Sequence, residues 1–327
     1  MQFKRKGDNL SPSEEVFHLL EKGKISPVTA FTLLQEEQEP KIKSSKKGKE
    51  INNVEDILKE LDSLVGLNTV KKLVRELQAF VEIQKRREDA KLATEPLVLH
   101  MIFKGNPGTG KTTVARIIGK LMKEIGVLQK GHILELERAD LVGEYIGHTA
   151  QKTKDQLKKA LGGVMFVDEA YSLARGGEKD FGKEAIDTMV KYMEDHKNNL
   201  ILILAGYEEE MTNFLKINPG LKSRFPIHID FPDYNISELL SIGDQMLKER
   251  EYELDSEARD ELTKILIRKL TGQSRYEGNA RLVRNLIEKA IRKQALRLIN
   301  VNNTKREDLI LITKADILHS LDEVRSV

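Results

Sequence analysis

Residues 105–112, Gly-Asn-Pro-Gly-Thr-Gly-Lys-Thr, constrain the fold of this chain more than any other segment. They fit the pattern G-x-x-x-x-G-K-[ST] and lie between an apolar run at 98–103 and a helical pattern of apolar residues that starts at Val114. Glycines at these positions let successive backbone N–H groups point at phosphate oxygens, and the helix that opens at Lys111 adds the positive end of its dipole. The segment therefore predicts a loop that binds the phosphates of a nucleotide.

Individual residues of this loop have different expected roles. Lys111 is expected to reach the β- and γ-phosphates of ATP, and Thr112 to supply a hydroxyl to Mg²⁺, which prefers hard oxygen ligands. The expected nucleotide contacts comprise the whole loop and the residue after it: Gly105, Asn106, Pro107, Gly108, Thr109, Gly110, Lys111, Thr112 and Thr113.

Short apolar runs alternate with helical patterns in the middle of the chain. The runs that predict strands are 98–103, 133–136, 164–167, 200–204 and 227–231. This alternation predicts an α/β fold, a P-loop αβα domain with a parallel five-stranded sheet. After Pro232 the strand signal ends, and amphipathic helical patterns at 239–247, 258–270 and 282–298 predict a separate C-terminal helical domain.

The first fifty residues have a different character. Two apolar runs within residues 11–38, each preceded by Ser-Pro, predict a short N-terminal helical hairpin. The polar, lysine-rich segment that follows has too few apolar groups to offset its ordering entropy, which predicts a flexible linker. The expected domains are the hairpin at 1–39, the basic linker at 40–52, the αβα domain at 53–233 and the helical domain at 234–327.

Composition excludes several classes of protein. The 327 residues include no cysteine, which rules out disulfides, thiolate metal sites and cysteine nucleophiles. No run of eighteen apolar residues exists and the first residues lack the apolar core of a secretory signal, so we expect a soluble cytoplasmic protein without a membrane span. The net charge of +2 is too balanced to require a nucleic acid as partner, which makes nucleic acid an unlikely ligand.

A second motif supports ATP hydrolysis. The apolar run at 164–167 ends in Asp168 and Glu169, and parallel sheets bind ligands at the carboxyl ends of their strands. Asp168 is expected to hold Mg²⁺ together with Thr112, and Glu169 to orient and polarise the attacking water. The alternative is that Asp168 and Glu169 only begin a surface loop and have no role in hydrolysis.

With these two motifs, the chain resembles the AAA+ ATPases over roughly residues 53–320. The resemblance implies a C-terminal domain that acts as a lid and a ring of identical subunits. It also implies that Val65 and Gly66, with Leu67, belong to the segment that encloses the adenine.

The resemblance assigns two arginines to catalysis. Arg224 lies between the fourth and fifth strands, where AAA+ proteins place an arginine finger that reaches the γ-phosphate of a neighbouring subunit. Arg281 matches the sensor-2 arginine, which contacts the nucleotide of its own subunit, with Arg284 as the fallback. Many AAA+ proteins also end the fourth strand with a polar sensor-1 residue, whereas this chain has Gly206 and then Tyr207, whose hydroxyl is the candidate.

Residues after the second strand resemble a substrate-gripping loop. Tyr145, Ile146 and Gly147 match the aromatic-hydrophobic-glycine pore loop with which hexameric remodelling ATPases hold a polypeptide. An aromatic ring offers wide apolar contact without sequence-specific hydrogen bonds. The alternative is that Tyr145 and Ile146 only fill local packing.

The combined motifs resemble the red-type rubisco activase family, most strongly its members from spore-forming bacilli. That resemblance implies a hexamer that remodels a protein partner of unknown identity in the mother-cell cytoplasm during spore maturation. A DNA-directed AAA+ motor or loader is one alternative, because residues 268–306 hold eleven Lys or Arg against two Asp or Glu. An ATP-gated assembly scaffold is the other.

Overall fold

The computed structural model describes residues 53–94, 97–145, 147–175, 181–271, 278–299, 301 and 303–322. The predicted hairpin at 1–39, the predicted linker at 40–52 and Ile146 lie outside the described residues. The domain boundaries predicted from the sequence therefore stay predictions.

The strands of the described residues are β1 (Met101–Gly105), β2 (Ile133–Leu136), β3 (Val164–Val167), β4 (Ile201–Gly206), β5 (Ile227–Phe231), β6 (Glu253–Leu254) and β7 (Leu311–Ile312). The α-helices up to β5 are α1 (Val54–Ser63), α2 (Asn68–Asp89), α3 (Lys111–Glu124), α4 (Arg138–Leu141), α5 (His148–Ala160), α6 (Gly182–Asp195), α7 (Glu208–Ile217) and α8 (Pro219–Arg224). The later α-helices are α9 (Ile236–Lys248), α10 (Ser256–Thr271), α11 (Asn279–Leu298), α12 (Arg306–Ile310) and α13 (Lys314–Asp322). A 3₁₀ helix, Ala170–Ala174, follows β3.

The first five strands form one parallel sheet in the order β2-β3-β4-β1-β5, which confirms the predicted α/β class and the five-stranded sheet. The bounds of β2, β3 and β5 are those predicted from the sequence. β1 begins later than the apolar run at 98–103, and β4 extends past the run at 200–204. An apolar run indicates burial, whereas strand ends depend on pairing, such as that of Gly105 with Phe231.

Successive side chains of the central strands point to opposite faces of the sheet and line two separate cores. Met101 and Phe103 of β1 belong to the core that also contains α3, while Ile102 belongs to the core built with α5 and α6. The Phe103 ring lies between Phe166 and Phe231, with centroid distances of 6.4 and 5.0 Å. Both faces of the sheet are therefore covered, as the uninterrupted apolar strands require.

The C-terminal part is helical, but it contains a feature that the sequence did not predict. β6 and β7 form a parallel two-stranded sheet between the helices. Each of these strands has two residues, which is too short for any alternation of apolar and polar side chains to show. Nearby, the buried Asp316 carboxylate accepts hydrogen bonds from Arg297 at 3.0 and 2.9 Å, which ties α13 to α11.

Among the described residues, every helix is too short or too polar to cross a lipid bilayer.

Candidate nucleotide-binding and hydrolysis site

The loop at 105–112 connects the end of β1 to the start of α3. Gly108 and Gly110 have positive φ angles, 77° and 96°, which residues with a Cβ rarely adopt. A Cβ on Gly108 would lie 2.8 Å from the backbone nitrogen of Arg281, closer than real Cβ contacts allow. Glycine at 108 therefore lets the start of α11 pack directly on the loop, where Gly108 O also accepts the N–H of Ala280 at 3.2 Å.

Lys111 points its amine into the loop. The side chain is 8% exposed, and Nζ donates to the carbonyl oxygens of Gly105 and Asn106 at 2.8 and 2.9 Å. Burial lowers the pKa of Lys111 because it disfavours the charged form, and the nearby charge of Asp168 opposes that effect. The amine thus lies where phosphate oxygens of a nucleotide can replace carbonyl oxygens as its partners.

Asp168 and Glu169 follow β3 at its carboxyl end. The backbone N–H of Glu169 donates to Oδ1 of Asp168 at 3.0 Å, so the two acids form one tight turn. Glu169 has a φ of 45°, in the left-handed region that non-glycine residues visit at an energetic cost. Asp168 is partly buried, while Glu169 is exposed toward the cleft.

A cleft of about 780 Å³ brings most of the predicted nucleotide residues together. It lies at the carboxyl ends of the strands, where open α/β sheets bind ligands. The predicted residues in its lining are Pro107, Gly108, Gly110, Lys111, Thr112, Thr113, Asp168, Glu169 and Arg281, and Arg284 and Tyr207 lie beside them. A cleft of this volume is large enough for a nucleotide.

Three residues of the predicted loop are outside the described lining of the cleft and stabilise the loop instead: Gly105, Asn106 and Thr109. Gly105 and Asn106 hold the Lys111 amine through their carbonyl groups. Thr109 is fully buried, and its hydroxyl donates to Asn106 O at 2.8 Å. These residues shape the loop with their backbone or with buried side chains.

The segment predicted to enclose the adenine lies beside the loop, and Val65 and Gly66 are outside the described lining of the cleft. A Cβ on Gly66 would meet the Glu238 carboxylate at 2.4 Å and the Tyr234 ring at 3.4 Å. Leu67 is buried and approaches Gly110. The structure therefore places this segment between the loop and the lid.

Arg224 also lies away from the cleft of its own chain. Its Nε donates to Oε1 of Glu194 at 2.5 Å, and Nη1 donates to Gly220 O at 3.0 Å. Arg281, in contrast, lines the cleft at the first turn of α11. The two predicted arginines thus occupy different places: Arg224 is outside the described lining of the cleft of its own chain, and Arg281 is part of it.

Sequence reasoning missed a polar cluster at the junction between the sheet and the lid. The Asp233 carboxylate accepts hydrogen bonds from Asn106 at 3.0 and 2.9 Å and from Asn279 at 2.9 Å. Asn279 is buried, has a φ of 61° and accepts the N–H of Tyr234 at 2.9 Å. The Tyr234 hydroxyl donates to Thr109 O at 3.1 Å. Asparagine tolerates the left-handed region, so a Gly-Asn pair before a helix was the available signal.

Sequence reasoning also missed Glu137 and Arg138, which line the cleft where β2 ends. Arg138 donates from Nη1 to Ser172 O at 2.6 Å, which fixes the 3₁₀ helix after Glu169. The position of both residues at the carboxyl end of a predicted parallel strand was the signal.

The predicted pore loop is separate from the cleft. Tyr145 is 66% exposed, and its ring meets His148 edge-on with centroids 5.6 Å apart. Gly147 has a φ of 82°, with no heavy atom within 4 Å of where a Cβ would be. A role in core packing requires burial, which the Tyr145 ring lacks.

Comparisons with known proteins identify the family of the chain. The model of the ATPase family associated with various cellular activities (AAA) matches residues 101–233, and the model of the AAA lid domain matches residues 235–326. Stage V sporulation protein K of Bacillus subtilis is 55% identical over 81% of this chain and 82% of its own length. The chloroplastic ribulose bisphosphate carboxylase/oxygenase activase of Cyanidioschyzon merolae is 43% identical over 82% of this chain and 92% of its own length.

Solved structures show the same fold at low sequence identity. A RuvB mutant of Thermotoga maritima matches with a TM-score of 0.56 and 20% identity, over 81% of this chain and 72% of that one. A katanin structure matches with a TM-score of 0.52 and 17% identity, over 80% and 83%. The chain is thus an ATP-hydrolysing P-loop enzyme that belongs to the AAA ATPase family, in the group that contains stage V sporulation protein K and the red-type rubisco activases.

Proposed function

We propose that this chain couples Mg-ATP hydrolysis to the remodelling or threading of a protein partner, as a hexameric ring of identical subunits. The observation that carries this proposal is the exposed aromatic ring of Tyr145, on a loop outside the ATP cleft. An exposed aromatic side chain beside an open glycine suits contact with varied polypeptides, because it binds apolar surface without a fixed hydrogen-bond pattern.

The cleft fits Mg²⁺ as the ion that accompanies ATP. The Thr112 hydroxyl and the Asp168 carboxylate line the same cleft, and both offer the oxygen ligands that Mg²⁺ prefers. When bound, the ion neutralises charge on the phosphates during phosphoryl transfer. Thr112 and Asp168 are the residues that would hold it.

Other residues of the cleft have different roles in ATP hydrolysis. Lys111 binds the β- and γ-phosphates with the amine that now rests on the loop carbonyls. Glu169 accepts a proton from the attacking water and orients it toward the γ-phosphate. Arg281, with Arg284 one turn later, contributes positive charge from the lid, so lid position and nucleotide charge are coupled.

Arg224 acts on the neighbouring subunit in this proposal. Its ion pair with Glu194 holds the guanidinium on the surface, away from the cleft of its own chain. An arginine supplied in trans stabilises the charge of phosphoryl transfer and makes hydrolysis depend on assembly.

The relatives suggest the kind of partner. One relative is named for rubisco, a protein, and another for sporulation. We propose that the partner here is also a protein and that the work takes place in the mother-cell cytoplasm during spore maturation.

A DNA-directed motor is less well supported, although RuvB shares the fold. The basic residues of α11 are partly committed to other contacts: Arg281 and Arg284 line the cleft, and Arg297 pairs with Asp316. This arrangement differs from a continuous basic face for phosphates of DNA.

A trapped complex tests the proposed function. Glu169→Gln, expressed in the native cell and purified with ATP, is expected to retain a protein partner, while Lys111→Ala is the control that binds neither ATP nor partner. The wild-type protein should then change the protease sensitivity of the purified partner only when ATP is hydrolysed. DNA binding that weakens steeply with salt, without such a change in any protein, would support the DNA-directed alternative.

A further inference from the structure

The short helix that carries Arg224 is anchored in the core of the αβα domain. Leu221 on α8 and Phe225 directly after it are buried, and both belong to the core that also contains α5 and α6. The N–H of Phe225 donates to Leu221 O at 3.0 Å, which closes the last turn of the helix. The backbone of Arg224 is therefore fixed, and the position of its guanidinium depends on the contacts of the side chain.

Two hydrogen bonds hold the guanidinium of Arg224, each from a different nitrogen. Nε donates to Oε1 of Glu194 on α6 at 2.5 Å, and Nη1 donates to Gly220 O, one turn back on α8, at 3.0 Å. No hydrogen bond joins Nη2, the third nitrogen, to any other residue that the structure describes. The group is thus held at two nitrogens and keeps the two N–H groups of Nη2 for a further acceptor.

The missing side chain at residue 220 makes room for the second contact. A Cβ on Gly220 would lie 3.1 Å from Nη1 of Arg224, which is tighter than nine in ten real Cβ contacts. Gly220 lies in the first turn of α8, and alanine favours a helix more than glycine does. Glycine at this position therefore weakens the helix but lets the guanidinium fold back over it.

The ion pair between Arg224 and Glu194 has little value for stability. The two side chains are 36% and 54% exposed, and exposed ion pairs stabilise a protein only weakly because water screens them. Its effect on geometry is larger. The guanidinium is rigid and planar, so contacts at two of its nitrogens fix the orientation of the whole group.

We propose that Glu194 is a positioning residue for ATP hydrolysis in the neighbouring subunit. Its carboxylate and the Gly220 carbonyl hold the Arg224 guanidinium so that Nη2 is presented to the γ-phosphate of the neighbour's ATP. A catalytic charge that is already in place costs no reorganisation when the reaction occurs. This inference rests on the proposed role of Arg224 in trans and deepens it.

Glu194→Gln is the direct test, because the side chain keeps its length and loses only its charge. We expect kcat for ATP hydrolysis to fall by about 10- to 100-fold, since a small misplacement of a catalytic group costs up to about 100-fold in rate. The KM for ATP should stay near the wild-type value, because Glu194 is outside the described lining of the cleft. The oligomer size in sedimentation and the melting temperature should also be unchanged.

Glu135→Gln is the matched control for this variant. Glu135 also pairs with a partly exposed arginine, Arg116, and it is outside the described lining of the cleft. Its loss of charge should leave kcat, KM and oligomer size at the wild-type values.

Gly220→Ala tests the other contact of the guanidinium. The added methyl group crowds Nη1 of Arg224 while it favours the helix, so kcat should fall by about 10-fold although the melting temperature does not fall. A merely structural role of residue 220 would instead make kcat and melting temperature change in the same direction. In an Arg224→Ala background, neither Gly220→Ala nor Glu194→Gln should lower kcat further, because both act through Arg224.

The outcomes separate this inference from the proposed role of Arg224. A wild-type kcat for Glu194→Gln, alongside an Arg224→Ala protein that has lost turnover, overturns the positioning role and leaves the arginine finger intact. Near-normal hydrolysis by Arg224→Ala overturns both. A higher kcat for Glu194→Gln also contradicts the inference, because it would show that Glu194 holds the arginine back. Loss of the oligomer in Glu194→Gln, or a further fall of kcat in the Arg224→Ala background, contradicts it as well.

Discussion

The side-chain amide of Asn106 donates to both carboxylate oxygens of Asp233, at 3.0 and 2.9 Å. Asn106 belongs to the loop predicted to bind phosphates, and Asp233 follows β5 where the chain leaves the sheet for the lid. The same carboxylate accepts the amide of Asn279 at the start of α11. One acid therefore joins the phosphate-binding loop to the first turn of the helix that carries Arg281.

Asp233→Ala tests this connection. Removing the carboxylate leaves two amides without their partner, so we expect the protein to lose about 1–3 kcal/mol of stability and to bind ATP more weakly. Nucleotide titration and thermal unfolding measure the two effects. Asp230→Ala, which changes an exposed acid on β5, is the control and should match the wild type. Unchanged ATP affinity in Asp233→Ala would show that the connection does not hold the binding site.

Lys111→Ala and Glu169→Gln are expected to separate ATP binding from chemistry. Lys111→Ala should lose ATP binding, because the phosphates lose the one amine that the loop holds in place for them. Glu169→Gln should bind ATP normally while kcat falls by about 10²- to 10⁴-fold, the typical contribution of a general base. Nucleotide titration measures ATP binding, and steady-state turnover measures kcat. Normal turnover of Glu169→Gln would refute the assignment of the base.

Arg224→Ala is expected to keep ATP affinity and to lose turnover by about 10³- to 10⁵-fold if the arginine acts in trans. ATP affinity should survive because Arg224 pairs with Glu194 and stays outside the described lining of its own cleft. Arg116→Ala is a matched control, since Arg116 is also a partly exposed arginine paired with a glutamate, Glu135. It should hydrolyse ATP like the wild type.

Mixed oligomers test the shared site itself. Arg224→Ala subunits have an intact cleft but no finger, and Lys111→Ala subunits have a finger but no working cleft. Mixing the two should restore some ATPase activity at interfaces that combine the intact halves. If mixed oligomers form and their activity never exceeds that of either component, the trans model is wrong.

Deletion of residues 1–50 is expected to leave ATP hydrolysis intact. The described fold begins with α1, whose first turn is capped by the Asn53 side chain through the N–H of Glu55. The cleft is lined by residues from 107 onward. We predict that the deleted segment recruits a partner, so partner binding should fall while kcat stays near the wild-type value. A truncated protein that folds but cannot hydrolyse ATP would contradict the proposed boundary at residue 53.

The sheet and most of the residues that line the cleft could be predicted from the sequence, for a physical reason. A phosphate-binding loop requires glycines with positive φ before a helix. Gly108, Gly110 and Lys111 therefore lie close together in the sequence, within one short motif. A buried parallel strand requires an uninterrupted apolar run, so the place of Asp168 and Glu169 follows from residues 164–167.

Contacts between distant segments could not be predicted in the same way. The bond from Asn106 to Asp233 spans 127 residues, and no local pattern marks it. The stack of Tyr171 on Tyr207 depends on Gly206, whose importance is evident only when the ring is seen against the strand. The two-residue strands β6 and β7 carry no periodicity at all.

Tyr145→Ala tests the proposed grip on a protein partner. The ring is 66% exposed, so its removal should leave the melting temperature nearly unchanged, since surface substitutions shift stability by at most about 0.5 kcal/mol. Ring assembly and ATP turnover should also stay near the wild-type level. Tyr145→Phe is the matched control, because it keeps the apolar ring and should retain the activity on the partner.

The most direct test of the proposed remodelling activity is the change in protease sensitivity of the trapped partner, measured together with ATP turnover on one preparation of each protein. We predict that Tyr145→Ala hydrolyses ATP but leaves the partner unchanged, whereas Tyr145→Phe and the wild type remodel it. A stable Tyr145→Ala protein that still remodels the partner at the wild-type rate would contradict the account.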